Sequence, residues 1–222
     1  MSKITLPSLH DGYTLPAYRA DARGPRKGGV VVIQEIFGIT DHIRAMCNLY
    51  AAAGYDAIAP GLYDRIEAGF HAGHDGPGMA KGIAAAQTTP MGQVAGDVQT
   101  CINALAGPVF ITGFCYGGGV TWMAAARCTG LTAASGFYGR IINQMLDLTP
   151  KIPIILHYGA NDAAIPQTMV DEVHAAHPSV PIHMYDAGHG FCREGSHDFN
   201  AAARDLAMQR TLALFASHGE TS

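Results

Sequence analysis

The sequence predicts an α/β fold: a mostly parallel, doubly wound sheet with helices on both faces and an N-terminal hairpin. Three observations carry this expectation. Short apolar runs bounded by glycine or proline, such as GGVVVI from Gly28 and IPIILHYG from Ile152, read as strands covered on both faces. Helical spacing recurs between them, as in Ile43, Met46, Cys47 and Tyr50, or Val94, Val98, Cys101 and Leu105. The two kinds of segment alternate, which favours parallel strands joined by right-handed crossovers.

Taken in order, KITLP and GYTLPAYRA flank the turn at Asp11-Gly12 and form the hairpin. The strand GGVVVIQE follows. A helix then runs from about Asp41 to Ala53, with Thr40 or Asp41 to cap it and Gly54 to stop it. YDAIAP is the next strand. Residues Gly61 to Pro90 are rich in Gly, His and Ala with weak periodicity, and read as a long excursion holding at most short helices. A loop of that length in a compact domain is more often functional than idle. Helical spacing returns at Val94. It is followed by the strand PVFIT, a helix beginning near Tyr116, and the strands LTAASGFYG and IPIILHYG. A helix from Thr168 to Ala176, the strand VPIHMYDAG and a helix from about Phe199 to Ala216 complete the pattern. No linker-like stretch or repeat interrupts it, so residues 1–222 read as one domain.

With 222 residues, 48% of them hydrophobic, the chain can bury a substantial core. Its formal charge of −4 gives no basic excess, which argues against a nucleic-acid partner. No apolar run approaches the ~18 residues that would span a bilayer, and the N-terminal stretch lacks the apolar block of a signal peptide. The five cysteines, Cys47, Cys101, Cys115, Cys128 and Cys192, include no Cys-x-x-Cys pair. That argues against a disulfide framework or a structural zinc site and favours a reducing cytoplasm. Cys47 and Cys101 fall on apolar helix faces, where a thiol is an inert core group.

In a doubly wound sheet ligands bind beyond the carboxyl ends of the strands. Four polar residues fall there: Glu35, Cys115, Asp162 and His189. Gly113-Phe-Cys115-Tyr-Gly117 has the form of a nucleophile elbow with cysteine in place of serine. The helix that follows offers unpaired N–H groups and a positive dipole end to a thiolate and an oxyanion. His189 would act as general base and acid, and Asp162 would fix its tautomer. Each residue also has a plainer reading. A lone cysteine is usually a small buried hydrophobe, Asn161-Asp162 suits a turn, and His189 suits a glycine-flanked loop. Their shared order, each after a predicted strand, favours catalysis and matches the α/β-hydrolase arrangement.

These stretches together resemble the dienelactone hydrolase family over nearly the whole chain: QEIFGIT with Glu35, GFCYGGG with Cys115, GANDAAIP with Asp162, and AGHGFCR with His189 and Arg193. The resemblance implies hydrolysis of dienelactone, a carboxymethylenebutenolide, without metal or cofactor. It implies further that Glu35 contacts the nucleophile and is paired with Arg193. A substrate carboxylate would take over that arginine and free Glu35 to accept the thiol proton. By the same carry-over, the backbone amides of Ile36 and Tyr116 form the oxyanion hole. The chain departs from the family where Pro-Asp-Leu-Tyr reads PGLYDR, with Gly61 in place of the aspartate. The family's second substrate-binding arginine has no clean counterpart, Arg65 being only nearby.

The sequence-level expectation is therefore an enzyme that hydrolyses an anionic ester or lactone through an acyl-cysteine. Two other readings stay open: a ThiJ-like or glutamine-amidotransferase-like cysteine enzyme, and a non-catalytic binder of small acids. His71 with His74 and His174 with His177 have i, i+3 spacing but no third ligand. They read as solvated surface residues, and no metal is expected.

Overall fold

The computed structural model describes residues 2–219. Eight strands form one sheet: β1 (Ser2–Pro7), β2 (Thr14–Ala20), β3 (Gly28–Ile33), β4 (Tyr55–Pro60), β5 (Val109–Phe114), β6 (Ala133–Phe137), β7 (Ile154–Gly159) and β8 (Ile182–Tyr185), in the order β1-β2-β4-β3-β5-β6-β7-β8. β1 and β2 are the antiparallel hairpin, and β2 joins β4 antiparallel; every other pairing is parallel. Strands β3 to β7 are buried at every position, which is why their sequences read as continuous apolar runs rather than alternation.

The helices are α1 (Asp41–Ala52), α2 (Gly76–Thr88), α3 (Met91–Asn103), α4 (Tyr116–Arg127), α5 (Gln167–Ala176) and α6 (Ala201–Gly219). The chain passes from β3 through α1 to β4 on one side. It then returns through α3 to β5 on the other side of β3. Right-handed crossovers in opposite directions put α1 and α3 on opposite faces. Phe215 of α6 stacks on Phe110 of β5 at 4.5 Å and reaches Tyr50 of α1 at 6.1 Å, so α6 shares the face of α1. Cys47 and Cys101 are fully buried in this core. Among the described residues no helix is long and apolar enough to cross a membrane.

Two local expectations are corrected. The Gly61 to Pro90 segment contains α2, a helix of 13 residues, rather than short helices only. Asp75 caps it by accepting from the Gly78 amide at 2.8 Å, and Pro77 lies in its first turn. Its buried stripe is Gly78, Gly82 and Ala85, which has helical spacing but no large side chain, so the apolar pattern is faint. At α1, Thr40 occupies the N-cap position in extended backbone, yet its hydroxyl makes no capping bond. Gly54 ends that helix at φ +97, as its position suggests.

Candidate active site

The end of β5 delivers Cys115 to a tight turn. Its backbone lies at φ 55, ψ −114, a conformation that costs a non-glycine residue of order 1–3 kcal/mol. The surrounding packing holds it there. A Cβ at Gly113 would stand 2.1 Å from the Gly117 carbonyl oxygen, and one at Gly117 would stand 2.5 Å from that of Ile33. The strand-turn-helix can close only with glycine at both places. The Cys115 amide donates to the Phe137 carbonyl at 3.0 Å, tying the elbow to β6. The thiol is partly exposed.

Asp162 follows β7 and His189 follows β8, and the parallel pairing of those strands brings the two loops together. Asp162 is only 4% exposed. Its Oδ1 accepts from the amides of Ala164 at 2.8 Å and Ile165 at 3.2 Å, and its Oδ2 accepts from His189 Nδ1 at 2.7 Å. Nδ1 therefore carries a proton; Cys115 lies within electrostatic reach of the ring, with no direct hydrogen bond joining the two among the described residues. Burial alone would lower the imidazole pKa. The hydrogen bond to Asp162 and the nearby Cys115 sulfur outweigh it and raise the value to about 10.

Glu35 lies two residues beyond β3 and is 2% exposed, with Oε2 lacking a protein partner. Burial pushes its carboxyl pKa up, opposed by the positive fields of Arg193 and His189. The implied pairing of Glu35 with Arg193 is not a direct ion pair: among the described residues none joins them. Arg193 instead lies with its guanidinium 5.8 Å from the centre of the Phe37 ring, which holds the charge at longer range. Its Nε is buried and unpartnered.

The amides of Ile36 and Tyr116 make no backbone hydrogen bond among the described residues, which leaves both free to donate. The turn carrying Ile36 is clasped by the excursion. Ala72 donates to the Phe37 carbonyl at 3.1 Å, and Gly82 of α2 packs so closely that a Cβ there would lie 2.6 Å from the Ile36 oxygen.

Sequence reasoning passed over Tyr138. This residue directly follows β6 at the same sheet edge, and that position with its neighbouring glycine was the available signal. Its φ is 38, it is fully buried, and its ring lies 5.1 Å from that of His189. Burial raises its phenol pKa well above the usual value, with Cys192, Glu35 and Cys115 adding to the effect. Arg65 is occupied elsewhere, bridging Asp97 at 2.6 Å and Asp11 at 2.8 Å. Of the four paired histidines, His177 is buried rather than solvated. Its Nε2 donates to the Leu146 carbonyl at 2.9 Å, and its ring lies edge-on to Trp122. His71, His74 and His174 are exposed. Among the described residues no group of three or more His, Cys, Asp or Glu is disposed to hold a metal ion.

A parallel sheet extended by an antiparallel hairpin, with an elbow after β5 and polar loops after β7 and β8, defines an α/β-hydrolase. The model of the dienelactone hydrolase family matches residues 15–219. A protein of Escherichia coli (strain K12), provisionally named a carboxymethylenebutenolidase, is 36% identical over 97% of this chain and 86% of its own length. The carboxymethylenebutenolidase of Pseudomonas putida is 28% identical over 93% of each. The crystal structure of a provisionally named dienelactone hydrolase from Klebsiella pneumoniae subsp. pneumoniae MGH 78578 aligns with a TM-score of 0.82 at 33% identity, covering 97% of both chains. The chain belongs to the dienelactone hydrolase family and is a hydrolase acting on esters. That sets aside the glutamine-amidotransferase-like reading.

Proposed function

We propose that this protein hydrolyses an anionic ester or lactone, dienelactone or a related unsaturated lactone, through an acyl-cysteine intermediate. The observation that carries the reading is the His189 imidazole, held by Asp162 at 2.7 Å beside the Cys115 elbow and within its electrostatic reach. The substrate carboxylate engages Arg193. Withdrawing that positive field raises the proton affinity of buried Glu35, which takes the Cys115 thiol proton. The thiolate attacks the carbonyl carbon, and the amides of Ile36 and Tyr116 hold the oxyanion. As the C–O bond breaks, His189, with its pKa near 10, enters as the imidazolium and gives its proton to the leaving oxygen. The neutral imidazole then takes a proton from water, whose oxygen attacks the thioester. The acid product leaves, and the sulfur recovers its proton from Glu35.

The reaction needs no metal or cofactor, and residues 1–222 act as one domain. The five unpaired cysteines support a reducing, cytoplasmic setting. The test is kcat/KM on dienelactone for the unmodified protein and Cys115→Ala. Turnover that vanishes in the variant supports the mechanism; turnover that survives would refute the acyl-cysteine. Equal activity on neutral and anionic esters would remove the substrate-assisted proton transfer.

A further inference from the structure

Gln34 is the first residue beyond β3, directly before Glu35, and it is only 1% exposed. A side-chain amide is costly to bury unless both its ends are hydrogen-bonded. Here both are. Oε1 accepts from the Leu62 amide at 3.2 Å, and Nε2 donates to the Glu35 carbonyl at 3.3 Å. The Leu62 N–H can meet only the oxygen end of the glutamine, which fixes the orientation and leaves the nitrogen end for Glu35. The main chain is fixed as closely: a Cβ at Gly117 of the elbow would stand 2.6 Å from the Gln34 carbonyl oxygen.

The carbonyl of Glu35 and the amide of Ile36 belong to one planar trans peptide unit, in which C=O and N–H point to opposite sides. A rotation of that plane swings both groups together. Fixing the carbonyl toward Gln34 therefore fixes the direction of the Ile36 N–H, which makes no backbone hydrogen bond of its own. Satisfying Leu62 does not by itself call for a glutamine, because that amide also reaches the Pro60 carbonyl at 3.1 Å. What the glutamine adds is a donor for the Glu35 carbonyl, anchored from the loop that follows β4. An oxyanion donor is effective when it is aimed before the charge develops, and this bond supplies the aim.

We propose that Gln34 is a positioning residue of the oxyanion hole: anchored on Leu62, it holds the Glu35–Ile36 peptide so that the Ile36 N–H faces the carbonyl oxygen of the bound ester. Sealed from solvent, it acts through that peptide and not on the substrate. This rests on the reading above in which Ile36 is one of the two oxyanion donors. Gln34→Met keeps the length of the side chain and removes both hydrogen bonds. Its kcat should fall by about 10- to 100-fold on neutral and anionic esters alike at nearly constant KM, because the interaction lost belongs to the transition state. Alkylation of Cys115 by iodoacetamide, which displaces iodide without forming an oxyanion, should keep its rate. The 15N order parameter of the Ile36 amide should fall, whether or not the protein turns substrate over. An unchanged order parameter would overturn the hold on the peptide, whatever the kinetics. A lowered one with full kcat would instead show that Ile36 is not the oxyanion donor, which is the failure of the underlying reading. Alkylation slowed as much as kcat would place the effect on the thiol and overturn the positioning role. Gln34→Glu covers the case where the first variant does not fold. It still accepts from Leu62, and only its protonated form donates to the Glu35 carbonyl, so its kcat relative to the unmodified protein should recover as pH falls. A ratio independent of pH would overturn the proposal.

Discussion

His189 Nδ1 donates to Asp162 Oδ2 across 2.7 Å, while Oδ1 of the same carboxylate is pinned by the amides of Ala164 and Ile165. Asp162 is thus oriented by its own turn before it orients the imidazole. A residue that alone suits turn chemistry performs that chemistry here, and its second oxygen remains for the histidine. The two readings of Asp162 describe the two oxygens of one side chain.

Asp162→Asn tests this division. An asparagine oxygen can keep the turn bonds, but its NH2 cannot accept from Nδ1, so the imidazole loses its tautomer and its anionic partner. kcat/KM should fall by about 100- to 10,000-fold with little change in fold. The imidazole pKa should drop from about 10 toward the ordinary range, which an NMR titration reads directly. An unchanged titration with full activity would show that the carboxylate does not govern His189.

Two arginines should separate cleanly. Arg65 covers Asp97, a carboxylate with no exposed side-chain surface that also accepts from the Ser8 hydroxyl at 2.5 Å. Arg65→Met leaves that charge uncompensated and should cost about 3–5 kcal/mol in urea unfolding, with KM unchanged in the folded protein. Arg193→Met should do the reverse. Stability should hold, while KM rises for anionic esters and not for neutral ones, because Arg193 has no ion-pair partner among the described residues.

Stability should also depend on pH through histidines of opposite sign, His157 and His42 against His189. His157 is fully buried, with its ring bonded to Tyr185, Ser135 and Thr211, and burial holds its pKa well below the usual value. The unfolded chain then binds a proton that the folded one refuses. Stability is lost as pH falls below about 6.5, with a slope of about 1.4 kcal/mol per pH unit for one such group. His189 is raised to about 10, so its contribution is complete below about 6.5 and is lost as pH climbs toward 10. Urea midpoints from pH 5 to 10 should peak near neutrality. In His157→Gln the acid limb should become shallower; an equally steep limb would assign it to other groups.

The sheet was legible because its central strands are buried on both faces and so read as uninterrupted apolar runs, and the sheet-end rule gathered Glu35, Cys115, Asp162 and His189. Tyr138 escaped because nothing in an isolated tyrosine after a strand distinguishes a core ring from one packed against His189. Helix α2 escaped because its buried face is Gly78, Gly82 and Ala85, and a pattern search weighted by hydrophobicity is blind to a stripe that packs by absence of side chain. His177 was misread for the converse reason: a polar residue near a helix end is usually solvated, but this one reaches the Leu146 carbonyl.

Gly82 gives the last prediction. The Gly61 to Pro90 excursion contributes no charged group to the Cys115, His189 and Asp162 cluster, yet α2 rests on the carbonyl of Ile36, whose amide is the candidate oxyanion donor. A methyl at Gly82 would stand 2.6 Å from that oxygen, inside any allowed contact, so either the helix moves out or the peptide plane of residues 36–37 turns. The amide of Ile36 belongs to the preceding peptide unit, and it is displaced when the clash is relieved by a shift of the whole Ile36 residue. Because oxyanion donors act in the transition state, misplacing one lowers kcat more than it raises KM. Gly82→Ala should therefore cut kcat by about 10- to 100-fold at nearly constant KM, with unfolding shifted by less than about 2 kcal/mol, since α2 is peripheral and buries few large side chains. Steady-state kinetics on one anionic and one neutral ester would check it. An equal loss on both substrates fits a displaced oxyanion donor. A change confined to KM would instead make the excursion a wall of the binding cleft with no hold on the reacting carbonyl.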